Sequence, residues 1–198
     1  DGMQKSRGHG DREEEDESEY DEHIWLSLRN AGTACRKIAD LLCELDRTHA
    51  SDYEENCTAY QAKLRALDDA YCEAAASVSH TALLFGDRFP FRYLTDDYGL
   101  TYYAAFAGCS AETEASFHTI AYLAEKADEL SLPAVLAIDG SDQSVARTIA
   151  GSTKTRSQKV MVLDSMQSVS EQDIKDGETY LSIMERNLTV LKEALQTK

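Results

Sequence analysis

Short apolar runs alternating with helix-compatible stretches over residues 79–198, with two long amphipathic stripes ahead of them, predict an α/β chain. The expected architecture is a four-stranded, mostly parallel sheet with helices on both faces, preceded by a helix and a long backbone helix. Strand and helix alternating four times is what a sheet covered on both sides requires, because each crossover returns the chain to the same edge direction.

Residues 1–22 hold ten acids against three basic residues, so seven of the net 16 negative charges fall in this segment. With three glycines and almost nothing apolar, it cannot bury enough surface to offset its chain entropy and reads as a mobile acidic loop or tail. Over residues 23–52, Ile24, Leu28, Ala31, Cys35, Ile38, Leu42 and Leu45 step alternately by four and three, the stripe of a helix with one buried face. After a break at 46–52, a second stripe runs through Tyr53, Cys57, Tyr60, Leu64, Leu67, Tyr71 and Ala74. It predicts a connecting helix over 53–78, a rod of about 37 Å at a rise of 1.5 Å per residue.

The lobe over 79–198 has strand-like runs at 81–85, 102–106, 134–138 and 159–163. Helices are expected at 90–98, 113–130 and 142–150, and a final one striped at Ile174, Leu181, Met184, Leu188, Leu191 and Leu195. In open α/β sheets the chemistry lies in loops at the carboxyl ends of the strands. Those loops carry Gly86-Asp87-Arg88, Ala107-Gly108-Cys109-Ser110, Asp139-Gly140-Ser141 and Asp164-Ser165-Met166. Asp164-Ser165 and Ser141-Asp142 read as helix caps. Asp139 differs, because Gly140 and Ser141 already supply the turn; a carboxylate at the end of a buried strand needs a partner, and a cation is one candidate.

The 198 residues are 42% hydrophobic and 28% charged, enough for one good core. No stretch approaches the roughly 20 consecutive apolar residues that cross a bilayer, and the first residues lack the apolar run of a secretory signal. A net charge of −16 argues against a phosphate-backbone binder and suits cations. The five cysteines, Cys35, Cys43, Cys57, Cys72 and Cys109, include no C-x-x-C pair and are odd in number. They form neither a zinc-ribbon pattern nor a disulfide framework, so buried free thiols are the default, a usage that leans towards a reducing compartment. No nucleophile elbow, H-E-x-x-H or phosphate loop is present. Cys109 with His118 or His80 as base is a weak enzyme constellation, since His118 is on the following helix and His80 precedes the first strand.

The string Asp21-Glu22-His23-Ile24-Trp25-Leu26-Ser27, an acidic loop followed by His-x-Trp-Leu and a helix, resembles the metal-binding lipoproteins of ABC importers for zinc and manganese. The likeness extends to the segment 53–68, to Tyr98-Gly99-Leu100, to Asp139, to Leu163-Asp164-Ser165 and to residues 180–188. It implies two α/β lobes bridged by a rigid helix, with a metal held between them by histidine and carboxylate. On that likeness His23 matches the ligand of the His-x-Trp motif and Asp139 the acidic ligand of the second lobe, a pair that suits Zn²⁺ or Mn²⁺. The first lobe is expected upstream of Asp1, so that 23–52 belongs to a lobe mostly outside this chain and 79–198 is the carboxyl-terminal lobe. A lipid anchor upstream and a monomeric state follow from the same resemblance.

Arg88 stands where the family carries a histidine or glutamate ligand, and a guanidinium cannot ligate a metal. The resemblance therefore leaves the missing donor to Asp87, Cys109 or Glu112, with a thiolate favouring zinc. Arg88 is also a candidate partner for Glu112 or Glu114. The function implied is an extracytoplasmic zinc- or manganese-binding component that delivers metal to a membrane permease without being an enzyme. The acidic segment would raise local cation concentration. The competing readings are a metal-free binding or adhesion module, with Tyr102, Tyr103 and the Phe89/Phe91 cluster facing a partner, and a Cys109-dependent enzyme.

Overall fold

The computed structural model describes residues 20–78, 81–108 and 114–195. A short 3₁₀ turn, Ile24–Leu26, leads into α1 (Leu28–Leu45), which folds back through a second such turn onto α2 (Ala50–Ala76). The lobe then runs β1 (Ala82–Arg88), α3 (Arg92–Asp97), β2 (Thr101–Phe106), α4 (Phe117–Glu129), β3 (Ala134–Ile138), α5 (Ser144–Ser152), β4 (Lys159–Leu163), α6 (Glu171–Lys175) and α7 (Tyr180–Leu195). All strands are parallel, in the order β2-β1-β3-β4. The order reverses between β1 and β3, which opens a crevice at their carboxyl ends.

Period-two alternation divides the strands between two cores. Leu83, Phe85, Leu136 and Ile138 face a core with Leu64, Tyr71, Met184, Leu188 and Leu191 of α2 and α7. Ala82, Leu84, Val135 and Ala137 face a second core with Leu123, Ala127, Ala146 and Ile149 of α4 and α5. Both faces of β1 and β3 are thus covered, which is why their sequences read as unbroken apolar runs.

The 27 residues of α2 make a rod of about 40 Å, with Cys57, Leu64, Leu67, Tyr71 and Ala74 of the expected stripe buried. Tyr71 is fully buried; its hydroxyl donates to the Met184 carbonyl at 2.7 Å and its ring stacks on Tyr98 at 5.0 Å. Tyr71→Phe is expected to cost about 1 kcal/mol, the net worth of one buried hydrogen bond. The check is a lower urea midpoint; an unchanged one would mean that the bond contributes nothing.

Four expectations need correction. The stripe of α1 is not buried along its length, since Leu28 and Ala39 are its only buried residues while Ile38 is 58% and Leu45 84% exposed. Among the described residues α1 packs chiefly on α2, and one neighbour covers one side only. Gly86-Asp87-Arg88 is not a loop but the end of β1. The final helix is two, because Gly177 at φ +92° turns the chain out of the helical path after α6, leaving Ile174 exposed. Phe89 and Phe91 are buried against Phe85, and Tyr102 stacks on Phe89 at 3.5 Å, so this cluster is core rather than a face offered to a partner.

Candidate metal centre at the carboxyl end of the sheet

His23 lies just before the 3₁₀ turn and is 3% exposed. Its Nδ1 is 2.8 Å from Asp21 Oδ1, and the same oxygen accepts the His23 backbone N–H at 2.9 Å. A carboxylate that accepts a hydrogen bond from Nδ1–H favours the tautomer whose lone pair is on Nε2, and orients the ring. Asp21 is itself buried, and the Tyr93 hydroxyl donates to its carbonyl at 2.9 Å. A Cβ on Gly108 would stand 3.7 Å from His23 Cε1, so the imidazole lies beside the loop that leaves β2.

Trp25 ties this segment to the far side of the crevice. Its indole N–H donates to the Ser165 carbonyl at 3.0 Å, its ring is 5.3 Å from that of His23, and its carbonyl accepts the Tyr180 hydroxyl at 2.8 Å. Ser27 caps α1 by accepting from the Asn30 amide at 3.0 Å, and its hydroxyl donates to Asp97 at 2.6 Å.

Asp139 follows β3 and accepts the Ser165 amide at 2.5 Å and the Ser165 hydroxyl at 2.6 Å on one oxygen, with the Ser168 hydroxyl on the other. Burial pushes its pKa up, but the hydrogen bonds from Ser165 and Ser168 outweigh that and hold the carboxyl below its ordinary range. Its neighbour Asp164 moves the other way, raised by burial and by the charge of Asp139. Ser165 is fully buried on this duty and is not a helix cap; the cap of α6 is Ser170, in a capping box with Asp173. The partner that a buried strand-end carboxylate needs is thus supplied by hydroxyls and an amide.

Asp87 and Arg88 end β1, between the loops that carry His23 and Asp139. Asp87 accepts the Arg88 amide at 2.8 Å on one oxygen and the Ile138 amide at 3.3 Å on the other, so its carboxylate braces the seam between β1 and β3. Arg88 is half-buried and makes no ion pair among the described residues; Glu114 is not its partner. Cys109 and Glu112 lie outside the described residues, as do His80 and the acidic residues 1–19. No group of three or more His, Cys, Asp or Glu with metal-holding geometry occurs among the described residues. No described helix is long and apolar enough to cross a membrane.

The family resemblance pointed to His23 and Asp139 as candidates, and neither it nor the strand-end position of Asp139 pointed to Asp21, Ser165 and Ser168, which hold them. The Asp-x-His pair was legible at two-residue spacing. The serines, 26 and 29 positions from Asp139, could be found only from the fold.

A family model described as "ZnuA: Zinc-uptake complex component A periplasmic" matches residues 1–194. The zinc-binding lipoprotein AdcA of Streptococcus pneumoniae is 32% identical over 192 residues, covering 97% of this chain and 37% of that protein. The high-affinity zinc uptake system protein ZnuA of Bacillus subtilis is 29% identical over 178 residues, 90% of this chain and 54% of that protein. The chain therefore spans between about a third and about half the length of these curated relatives. The crystal structure of the Zn(II)-bound ZnuA-like domain of Streptococcus pneumoniae AdcA is similar at a TM-score of 0.73 and 31% identity, over 95% of this chain and 68% of that one.

Proposed function

Because the chain belongs to the ZnuA family of zinc-uptake components, we propose that it is the metal-capturing part of an extracytoplasmic solute-binding protein that delivers zinc to a membrane permease of the ABC type. It binds and releases and carries out no chemical conversion. The observation that supports this best is the Asp21–His23 pair, a buried imidazole whose Nδ1 lies 2.8 Å from a buried carboxylate. A carboxylate behind a histidine is the usual outer support of a zinc ligand, fixing the tautomer and raising basicity.

On this reading His23 and Asp139 supply two donors, and Asp87, Cys109 or Glu112 supplies the rest. Asp87 already accepts the Arg88 and Ile138 amides, one on each oxygen, and so also braces the sheet. A nitrogen, oxygen and thiolate set would favour zinc over manganese.

Competition between the chain and a chromogenic chelator is expected to show one zinc site per chain, bound more tightly than manganese. Equal or tighter manganese binding would overturn the zinc assignment. Asp21→Asn keeps an acceptor for His23 but removes its charge, and is expected to weaken zinc binding by roughly 10–100-fold with the fold intact. An unchanged affinity in that variant would remove His23 from the site.

A further inference from the structure

Cys35 on α1 and Cys57 on α2 form a dithiol that their spacing in sequence conceals. The two sulfurs are 3.7 Å apart, in van der Waals contact, although the residues are separated by 22 positions. The helices are antiparallel, and their register is pinned on both sides of the pair. Gln61 Nε2 donates to the Gly32 carbonyl at 3.1 Å on one side, and Arg36 donates to both oxygens of Glu54 at 2.8 and 3.0 Å on the other. Cys57 Sγ is also 3.7 Å from the Cys35 carbonyl oxygen, so the backbones already approach closely. Cys57 is buried and Cys35 half-buried. Both line a groove of about 490 Å³, with Ile38, Leu42, Tyr53 and Tyr60 among its walls, which gives a small reagent access. The other two described cysteines have other neighbours: Cys43 faces the Ala50 carbonyl at 3.5 Å and Cys72 the Arg29 guanidinium at 3.6 Å.

We propose that Cys35 and Cys57 are an oxidative modification site, closing to a reversible disulfide that staples α1 to α2 when a small-molecule disulfide is present. Moving two sulfurs from contact to the bonded distance of about 2.05 Å needs small side-chain rotations, not a new register of the helices. Cys35, the more accessible thiol, attacks oxidised glutathione as the thiolate, forming a mixed disulfide and releasing one glutathione thiolate. Cys57 then attacks the Cys35 sulfur and expels the second. Two protein thiols lose two electrons and two protons, and the oxidant is reduced to two thiols. Burial, together with the contact to Cys57, holds the Cys35 thiol above its ordinary pKa, which makes the exchange slow at neutral pH. The link would stabilise the hairpin mainly by restricting the unfolded chain.

Trypsin separates the relevant cysteines, with Cys35 in peptide 30–36, Cys43 in 38–47 and Cys57 in 48–63. The purified chain would be equilibrated in glutathione buffers from reducing to oxidising, its remaining thiols blocked under denaturing conditions, and the digest read by mass spectrometry. The expected result is peptide 30–36 joined to 48–63, with Cys43 and Cys72 blocked as free thiols and the link lost on adding dithiothreitol. The oxidised chain should melt roughly 5–10 °C above the reduced one. Cys35→Ser and Cys57→Ser should each abolish both the link and the shift; the first changes the half-buried position and so guards against misfolding of the second. Full blocking of both thiols in the most oxidising buffer, or pairing of either with another cysteine, overturns the proposal. A link without a rise in melting temperature overturns the staple.

Discussion

Replacing His23 by alanine is expected to lower zinc affinity by more than the roughly 10–100-fold that loss of an outer partner costs. The imidazole would supply one of about four bonds near 2.0 Å, and no other histidine among the described residues stands at the carboxyl end of the sheet to replace it. His49 is paired with Asp46 beside the second 3₁₀ turn, and His118 is on α4. The ring is also buried against Trp25, so the alanine variant leaves a cavity and its metal-free urea midpoint should fall as well. Measuring both quantities separates the effects: a variant that unfolds earlier yet binds zinc undiminished would show that the histidine is a packing residue. Asp139→Ala offers a second arm at the other proposed donor, whose carboxylate is held by Ser165 and Ser168.

The second large effect is on stability, at Gly86. A Cβ built there would come within 2.4 Å of Ala146 Cα and 2.7 Å of its amide nitrogen. These are backbone atoms of α5, which rotamer changes cannot move aside. Gly86→Val is therefore expected to reach or exceed the top of the roughly 1–3 kcal/mol range for overpacking, or about 6–12 °C in melting temperature for a chain of this size. Adding Ala146→Gly removes only the Cβ contact at 2.8 Å, so rescue should be partial. Full rescue would mean that the backbone is not the obstacle.

This contact also explains where the sequence misled. Residues 134–138 and 159–163 are strands with the bounds their apolar runs suggest. The run at 81–85 breaks at Gly86-Asp87, two residues that ordinarily mark a turn, yet β1 continues through Arg88. It continues because the missing Cβ lets α5 pack directly on the strand, and because the Asp87 carboxylate takes up the Ile138 amide. Both reasons involve residues more than fifty positions away in the chain. The α1 stripe failed for the converse reason: periodicity reports a face that could be buried, not whether something lies on it. His23 and Asp139 stood out as candidates because a short motif that resembles the family's and a strand end point to them. What holds them did not, since Ser165 reads as a cap and becomes a hydrogen-bond donor to Asp139 only after the crossover through α5 brings β4 beside β3.

The ties on the segment before α1 have a mechanical consequence. Tyr93 grips Asp21, Trp25 grips Ser165, and Tyr180 grips Trp25, so His23 is clamped to α3, to the loop after β4 and to α7. Ser165 in turn grips Asp139. His23 and Asp139 are thus joined through one chain of contacts, by way of Trp25 and Ser165. On the proposed zinc-binding reading, two donors linked in this way would shift together, so a change that breaks the Trp25–Ser165 bond is expected to disturb both at once.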